Sequence, residues 1–251
     1  MGSDRAIARL LSQRRLVACW QRCATRPESG RCRTRRYPAI LRRGRQASWQ
    51  TTRAVLEPTT TPAVNLTQLA IDLVGSKRDS LLWNAYIQRR HYLGHQLIPG
   101  AQLRYFVRAA GENIALLSFG ASAWKTQPRD EFIGWTREQR ERRLHLIVNN
   151  ARFLILPWIK CRNLASRVLA LISRRLCEDW QSHYAYRPVM IETFVEKPRF
   201  SGTCYKAANW KYLGDTQGRG KLDRLHRHAE PVKSVWVYPL VGDFRQQLCN
   251  G

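Results

Sequence analysis

"HLIVNNARFLILPW" (145–158) decides the fold together with the two segments that follow it. This apolar run is long enough for a β-strand that carries a bulge near Asn149 and Asn150. "NLASRVLALISRRLCEDWQSHY" (163–184) has apolar residues at helical spacing and predicts a helix. "RPVMIETFVE" (187–196) reads as a buried strand. A strand, a crossover helix and a strand in succession predict two parallel neighbours in one sheet.

The chain before this unit predicts two helices and a hairpin. "NLTQLAIDLVG" (65–75) and "RDSLLWNAYIQRRHYL" (78–93) have helical spacing of their apolar residues. "AQLRYFVRAAGENIALLSFGASAW" (101–124) contains two strand-like runs around "AAGEN", which is a hairpin signal. "TREQRERRL" (136–144) predicts a charged turn or a short helix.

The chain after the unit predicts one more helix and one more strand. "RFSGTCYKAANWKYLG" (199–214) begins with a turn signal and continues as a short amphipathic helix, whereas "VKSVWVYPL" (232–240) predicts the final strand. The whole order favours an α/β fold with a mixed sheet flanked by helices, in which the first strands form a meander.

Charge is distributed unevenly along the 251 residues. The formal net charge is +25, with 43 basic and 18 acidic residues. Residues 1–53 contain 14 arginines, no lysine and two acidic residues, without a sustained period. Two interpretations stay open for them: a disordered nucleic-acid arm, or a stretch translated from a shifted frame. With "EPTTTPAV" (57–64) as a linker, we expect a poorly ordered arm over 1–64 and a folded domain over 65–251.

Composition favours a cytoplasmic protein outside the membrane. The hydrophobic fraction of 44% suffices for a core, and no run approaches the length of a membrane span. The first residues do not form a secretory signal, and the seven cysteines are expected to be reduced. Cys19, Cys23 and Cys32 cluster without a second Cys/His pair at zinc-finger spacing, so no metal site is predicted.

The order of elements resembles the GNAT acyltransferase fold, in which a central strand splays at a bulge and a helix amino terminus receives the cofactor pyrophosphate. The family signature is Arg or Gln, two residues, Gly, one residue, and Gly or Ala. Lys160, Asn163 and Ala165 stand at these places, followed by Ser166, and Asn163 departs from the usual glycine. The resemblance implies acetyl-CoA as a cofactor at these residues.

The same resemblance implies two catalytic candidates. Tyr205 stands where GNAT enzymes commonly carry a tyrosine that protonates the departing thiolate, and Glu192 would serve as the base that deprotonates an amine. Structural roles stay open for each residue: Tyr205 as a core aromatic, Glu192 in an ion pair with an arginine such as Arg152, and Asn163 as a helix N-cap.

A longer resemblance covers about residues 80–248. "RRHYLG", "FGASAWKTQPRDEFIGW", "ETFVE" and "RFSGTCYKAANWKYLGDTQGRGK" resemble the bacterial family of the Druantia anti-phage system protein DruA. Related copies occur beside or fused to transposases. This resemblance implies a role around foreign or mobile DNA, with defence-system or transposase proteins as possible partners, and it implies no particular chemistry. Residues 1–53 depart from the family pattern.

A basic glycine-containing segment indicates nucleic-acid contact. In "GDTQGRGKLDRLHRH" (214–228), Arg219, Lys221, Arg224 and Arg227 can reach phosphates, and the glycines allow close backbone approach. A solvated turn with incidental charge is the alternative.

Three functions therefore remain: DNA binding in a defence or mobile-element setting, which we favour, acyl transfer from acetyl-CoA, and metal-dependent DNA cleavage. For the last, Asp130, Glu131, Glu192 and Asp215 are candidate carboxylates, but nothing in their spacing selects a metal-binding triad.

Overall fold

A seven-stranded mixed sheet forms the centre of the protein. The computed structural model describes residues 64–218 and 230–250. Within these residues the sheet order is β1-β2-β3-β4-β5-β7-β6. The strands are β1 (Leu69–Leu73), β2 (Leu103–Ala109), β3 (Glu112–Ala121), β4 (Ile147–Ile155), β5 (Met190–Glu196), β6 (Lys211–Asp215) and β7 (Lys233–Pro239).

Helices flank this sheet and connect its strands. They are α1 (Lys77–Arg90), α2 (Gln127–Ile133), α3 (Arg137–Arg143), α4 (Leu164–Tyr184), α5 (Thr203–Ala207) and α6 (Phe244–Cys249), with a 3-10 turn at Leu144–Leu146. None of the helices in the described ranges is both long enough and apolar enough to cross a bilayer.

Strand pairing confirms the predicted meander and the parallel unit. Strands β1 to β4 pair in antiparallel succession, whereas β4 and β5 are parallel with α4 between them in the chain. Their pairing runs only from Ile147↔Met190 to Asn149↔Glu192, so the two strands diverge beyond that point. On the other side of β4 the register shifts between Ser118 and Phe119, and this shift is the predicted bulge.

The hairpin of β2 and β3 is also confirmed. Ala110 and Gly111 connect the two strands with φ values of 49° and 83°. Two successive positive φ values match the right-handed twist of the flanking strands, and glycine adopts this conformation without strain. The GNAT-like α/β class expected for the domain is therefore present, with its mixed sheet and splayed central pair. The arm expected over residues 1–64 lies outside the described residues except for its last residue.

The prediction of a helix over residues 65–75 is wrong. Leu69–Leu73 forms the edge strand β1, which pairs with β2 from Leu69↔Ala109 to Leu73↔Tyr105. A run this short can satisfy a helical or an extended pattern, so pairing with the exposed edge of β2 decides its conformation.

The predicted helix, which starts at Gly202-Thr203 and continues to Gly214, is too long. It spans only Thr203–Ala207, and the chain then enters β6, which pairs with β7. Asn209 has a φ of 63°, in the left-handed region that commonly terminates helices. Trp210 lies beyond the end of the helix, and its buried side chain packs in the larger apolar cluster. Helices α2 and α6 were not predicted.

Two apolar clusters lie in the described residues. The larger contains residues of α1, the meander and α4. The smaller joins Ile147 and Met190 of the parallel pair to Val237, Phe244 and other apolar residues. Since adjacent strand residues point to opposite faces, this division separates the side chains of β4, β5 and β7 by sheet face.

Candidate anion-binding site and the buried groups of the splayed strands

The amino terminus of α4 follows the end of β4. Asn163 precedes the helix with a φ of 62°, and its side chain makes no capping hydrogen bond. The backbone N–H groups of a first helical turn have no intrahelical acceptor. The Leu164 N–H donates to the Cys161 carbonyl at 3.4 Å, which leaves the N–H groups of Ala165 and Ser166 for an anion. The Ser166 hydroxyl donates to the Asn163 carbonyl at 3.0 Å. Asn163 therefore occupies the N-cap position, as its structural alternative predicted. Its side chain does not form the hydrogen bond that such a cap usually makes.

The charged residues next to this helix terminus in the sequence are all cations. The sequence contains no Asp or Glu between Pro157 and Cys177. Lys160, Arg162 and Arg167 are exposed, and none of them forms an ion pair with any described residue. Acidic residues are the usual stabilising neighbours of a helix amino terminus, where cations are unfavourable. An external anion would stabilise this surface, which we call the α4 cationic surface and define as Lys160, Arg162, Arg167 and the first turn of α4.

Glu192 is fully buried in an ion pair with Arg129, not with Arg152. One carboxylate oxygen accepts from Arg129 Nη1 at 2.9 Å, and the other accepts from the Ala123 backbone N–H at 2.7 Å. Burial raises the pKa of Glu192, and the adjacent Arg129 opposes that rise. Burial lowers the pKa of Arg129, but Glu192 and Asp130 outweigh this effect and hold it above its ordinary value. Both carboxylate oxygens of Glu192 therefore have protein partners.

Asp130 extends this pair into a network beneath α2. Its carboxylate accepts from Arg129, from the Trp135 indole N–H at 3.1 Å and from Arg140 at 3.3 Å. Each charged group of this network has an oppositely charged partner, although Arg140 Nε is buried without a hydrogen bond. Sequence reasoning missed Arg129. The only signal was its position in "QPRDEFIGW", where three charged residues precede an apolar run.

Tyr205 is buried on the other side of the sheet. Its hydroxyl donates to Asn150 Oδ1 at 3.0 Å, and Thr193 donates to the Asn150 carbonyl at 3.1 Å. Burial raises the pKa of the Tyr205 hydroxyl. Asn150 also donates to the carbonyls of Ser118 and Arg152. These bonds bridge β4 to β5 and α5 where the two strands diverge.

The structure does not bring Glu192 and Tyr205 together. Asn149 is the register partner of Glu192, so their side chains share a face, whereas the next residue, Asn150, points to the opposite face and bonds Tyr205. Val237, opposite Glu192, belongs to the smaller apolar cluster, and Tyr205 belongs to the larger. A single substrate could contact both Glu192 and Tyr205 only through the gap where β4 and β5 diverge.

The four cations predicted for nucleic-acid contact lie outside the described residues. They are Arg219, Lys221, Arg224 and Arg227. Over residues 64–218 and 230–250, no group of three or more His, Cys, Asp or Glu side chains is arranged to hold a metal ion. The carboxylates considered for DNA cleavage therefore do not converge in this part of the chain.

The strand order, the splayed parallel pair and the helix that follows β4 define a GNAT-like α/β protein. The model of the family described as Druantia protein DruA matches residues 35–232. The chain belongs to this family, and the membership supports an anti-phage defence context. The match begins earlier than the expected resemblance over 80–248 and ends just before β7. It includes residues 35–53, so the expectation that all of 1–53 departs from the family pattern is wrong for this part. No curated protein matches the sequence.

Several solved acetyltransferase structures are similar at low identity. The aminoglycoside acetyltransferase AAC(6')-Ib with coenzyme A is 12% identical, with a TM-score of 0.44 over 68% of this chain and 95% of that chain. An N-acetyltransferase from Staphylococcus aureus is 10% identical, with a TM-score of 0.41 over 69% and 98%. The polyamine N acetyltransferase from Drosophila melanogaster is 11% identical, with a TM-score of 0.42 over 68% and 100%.

Proposed function

We propose that the protein binds nucleic acid, DNA in particular, in a bacterial anti-phage defence or mobile-element setting. The observation that carries this proposal is the α4 cationic surface, where three exposed cations without ion pairs surround an uncapped helix terminus. Phosphate groups neutralise such a surface and release their counterions, which is the main source of affinity for nucleic acid. We infer a cytoplasmic site of action, with defence-system or transposase proteins as partners.

The charge of the whole chain supports a polyanion as the ligand. A net charge of +25 attracts polyanions over a long range and accelerates their encounter. Arg219, Lys221, Arg224 and Arg227 belong to this proposal from their sequence alone, as additional phosphate contacts. Because phosphate contacts position a protein on DNA without reading bases, the proposal specifies binding and no sequence preference.

Substitution of the surface cations tests the proposal. In the full chain, Lys160→Gln, Arg162→Gln and Arg167→Gln together should weaken duplex binding about tenfold or more at moderate salt, measured by electrophoretic shift. The matched control makes the same change of charge at three exposed cations elsewhere, namely Lys77, Arg78 and Arg142. Equal losses in the two variants would contradict the assignment to α4, and no binding by the wild type would contradict the function.

Acyl transfer from acetyl-CoA is the second candidate. The positive φ of Asn163 at the glycine position of the signature favours it, because asparagine is the commonest residue after glycine to adopt that backbone. Lys160, Asn163, Ala165 and Ser166 would hold the pyrophosphate at the α4 terminus. Tyr205 would then serve as the proton donor and Glu192 as the base. Their present bonds to Asn150 and Arg129 oppose these roles.

Isothermal titration of the full chain with acetyl-CoA tests this candidate. Two results together would support it. Wild type and Tyr205→Phe should both bind acetyl-CoA with saturable heat, and only the wild type should transfer the acyl group. Absence of heat at millimolar acetyl-CoA would end it without affecting the DNA-binding proposal.

A further inference from the structure

Three polar residues form a row across strands β2, β3 and β4. Arg104 on β2 is the register partner of Ser118 on β3, and Ser118 is the register partner of Arg152 on β4. Side chains in register share a face, and neighbouring strands lie about 4.8 Å apart. Two guanidinium groups therefore flank one hydroxyl. We call these residues the Arg-Ser-Arg row.

No acidic residue compensates the two arginines within the described residues. Arg104 donates to Asn84 Oδ1 at 2.8 Å and to Ser80 Oγ at 2.9 Å, both neutral acceptors. Arg152 donates to the carbonyls of Gly94 and Ala151, also neutral. Burial lowers the pKa of both guanidinium groups. Half-buried cations are normally paired with carboxylates, so two unpaired ones side by side are costly.

The hydroxyl between them has no partner. Ser118 is only 1% exposed, and its Oγ makes no hydrogen bond to any described group. A buried hydroxyl without a partner destabilises the fold, whereas an oxygen atom of a ligand placed beside it would accept a hydrogen bond from it. Both the charge and the hydrogen-bond deficit of the row would therefore be met by one negatively charged acceptor.

A depression beside the row gives access to it. All three residues line it, together with His95 and Gln102, and none of its lining residues is acidic. Its interior volume is about 10 Å³, which is room for one water-sized group. A single oxygen atom of a ligand can therefore enter it, while the rest of the ligand would lie at its mouth.

We propose that the Arg-Ser-Arg row binds a small tetrahedral oxyanion of the phosphate type, either as the free ion or as the phosphate of a nucleotide. Arg104 and Arg152 supply charge-assisted donors from two sides, and Ser118 donates from the floor. This site lies on β2, β3 and β4 and is independent of the α4 cationic surface. It goes beyond the proposed DNA binding and holds whether or not that function is correct.

Calorimetric titration of the full chain with inorganic phosphate tests the site at constant ionic strength. We expect saturable binding that weakens about tenfold or more in Arg152→Gln and in Arg104→Gln, since each substitution removes a charged donor. Arg142→Gln, an exposed arginine on α3, is the control and should bind as the wild type does. Equal affinity in the wild type and in Arg152→Gln would overturn the proposal.

Ser118→Ala separates ligand binding from a structural role. It removes an unsatisfied buried hydroxyl, so the melting temperature without ligand should not fall, while the rise on adding phosphate should shrink. A phosphate-induced rise as large as that of the wild type would overturn the role of Ser118 and the site with it.

Adenosine 5′-monophosphate and adenosine identify the source of the oxyanion. Tenfold tighter binding of the monophosphate than of inorganic phosphate assigns a nucleotide, and equal affinities assign the free ion. Adenosine should not bind through this row. The proposal would be overturned if adenosine bound as tightly as its monophosphate and Arg152→Gln abolished that binding. Such a result would mean that the row requires no oxyanion.

Discussion

At the scale of single residues, the buried partners of each polar group decide what it can do. Glu192 accepts from Arg129 and Ala123, and Tyr205 donates to Asn150, so both candidate catalytic groups hold internal bonds. The Arg-Ser-Arg row differs from them because its two arginines have only neutral acceptors and its hydroxyl has no hydrogen-bond partner among the described residues. Unsatisfied groups, more than buried acids, indicate where a ligand would bind in this protein.

Arg129→Met should be strongly destabilising. The change leaves the fully buried Glu192 carboxylate without its cationic partner, at a cost of about 3–5 kcal/mol in the free energy of unfolding. Urea denaturation monitored by circular dichroism measures it. Arg137→Met, which breaks an exposed pair with Glu141, is the control and should leave the midpoint nearly unchanged. Equal midpoints for the two variants would contradict a stabilising role of the buried pair.

His91 should make the protein less stable in acid. Burial, reinforced by Arg152, lowers the pKa of His91 from 6.5 to about 4. Between these values the unfolded chain takes up a proton that the folded chain does not, so stability falls as the pH decreases from about 6.5 to 4. We expect a loss of about 1–2 kcal/mol from His91 between pH 7.5 and pH 5.

Denaturation of wild type and His91→Gln at both pH values measures this contribution. His95 and His145 act in the same direction, since burial lowers the pKa of each. The variant should therefore retain only part of the pH dependence. An unchanged dependence in His91→Gln would show that the imidazole is protonated in the folded protein.

At the scale of elements, local pattern and tertiary pairing contribute differently. The parallel unit, its bulge and the β2–β3 hairpin were predictable because periodicity and turn residues agree within each segment. Leu69–Leu73 was not, because pairing with β2 overrides its helical spacing. The α4 terminus could be located from sequence, whereas the ion pair of Glu192 joins residues 63 positions apart and requires the folded sheet.

Gly202→Ala tests how α5 is held against the sheet. Gly202 precedes this helix with a φ of +73°, and an added Cβ would lie 2.9 Å from the Trp236 ring. Backbone strain and this clash should lower the free energy of unfolding by about 1–3 kcal/mol in a denaturation experiment. Gly242→Ala, with no atom within 4 Å of its added Cβ, is the control. A neutral Gly202→Ala would mean that α5 can shift freely.

At the scale of the whole molecule, the protein carries exposed cations that form no ion pair with any described residue. The net charge of +25 is supplied by arginines and lysines on many elements, but the α4 cationic surface combines them with free backbone donors. Family membership in a defence system is compatible with DNA as the ligand. Binding by such a surface requires no catalytic residue.

The segment after β6 should add to binding through its cations. Arg219→Ala, Lys221→Ala and Arg224→Ala together should weaken duplex binding and flatten its salt dependence by about 0.9 log–log units per lost phosphate contact. Filter binding across a salt series measures both effects. The control replaces three exposed cations elsewhere with alanine, namely Lys77, Arg78 and Arg142. An unchanged slope would remove these residues from the interface.

The central claim is that the α4 cationic surface contacts DNA phosphates. Its most direct test is the slope of log affinity against log salt concentration for duplex DNA, compared between the full wild-type chain and the Lys160→Gln, Arg162→Gln, Arg167→Gln variant. Each lost contact should flatten the slope by about 0.9, so the variant should differ by about 3 units if all three cations bind phosphate. Identical slopes for the two proteins would contradict the claim.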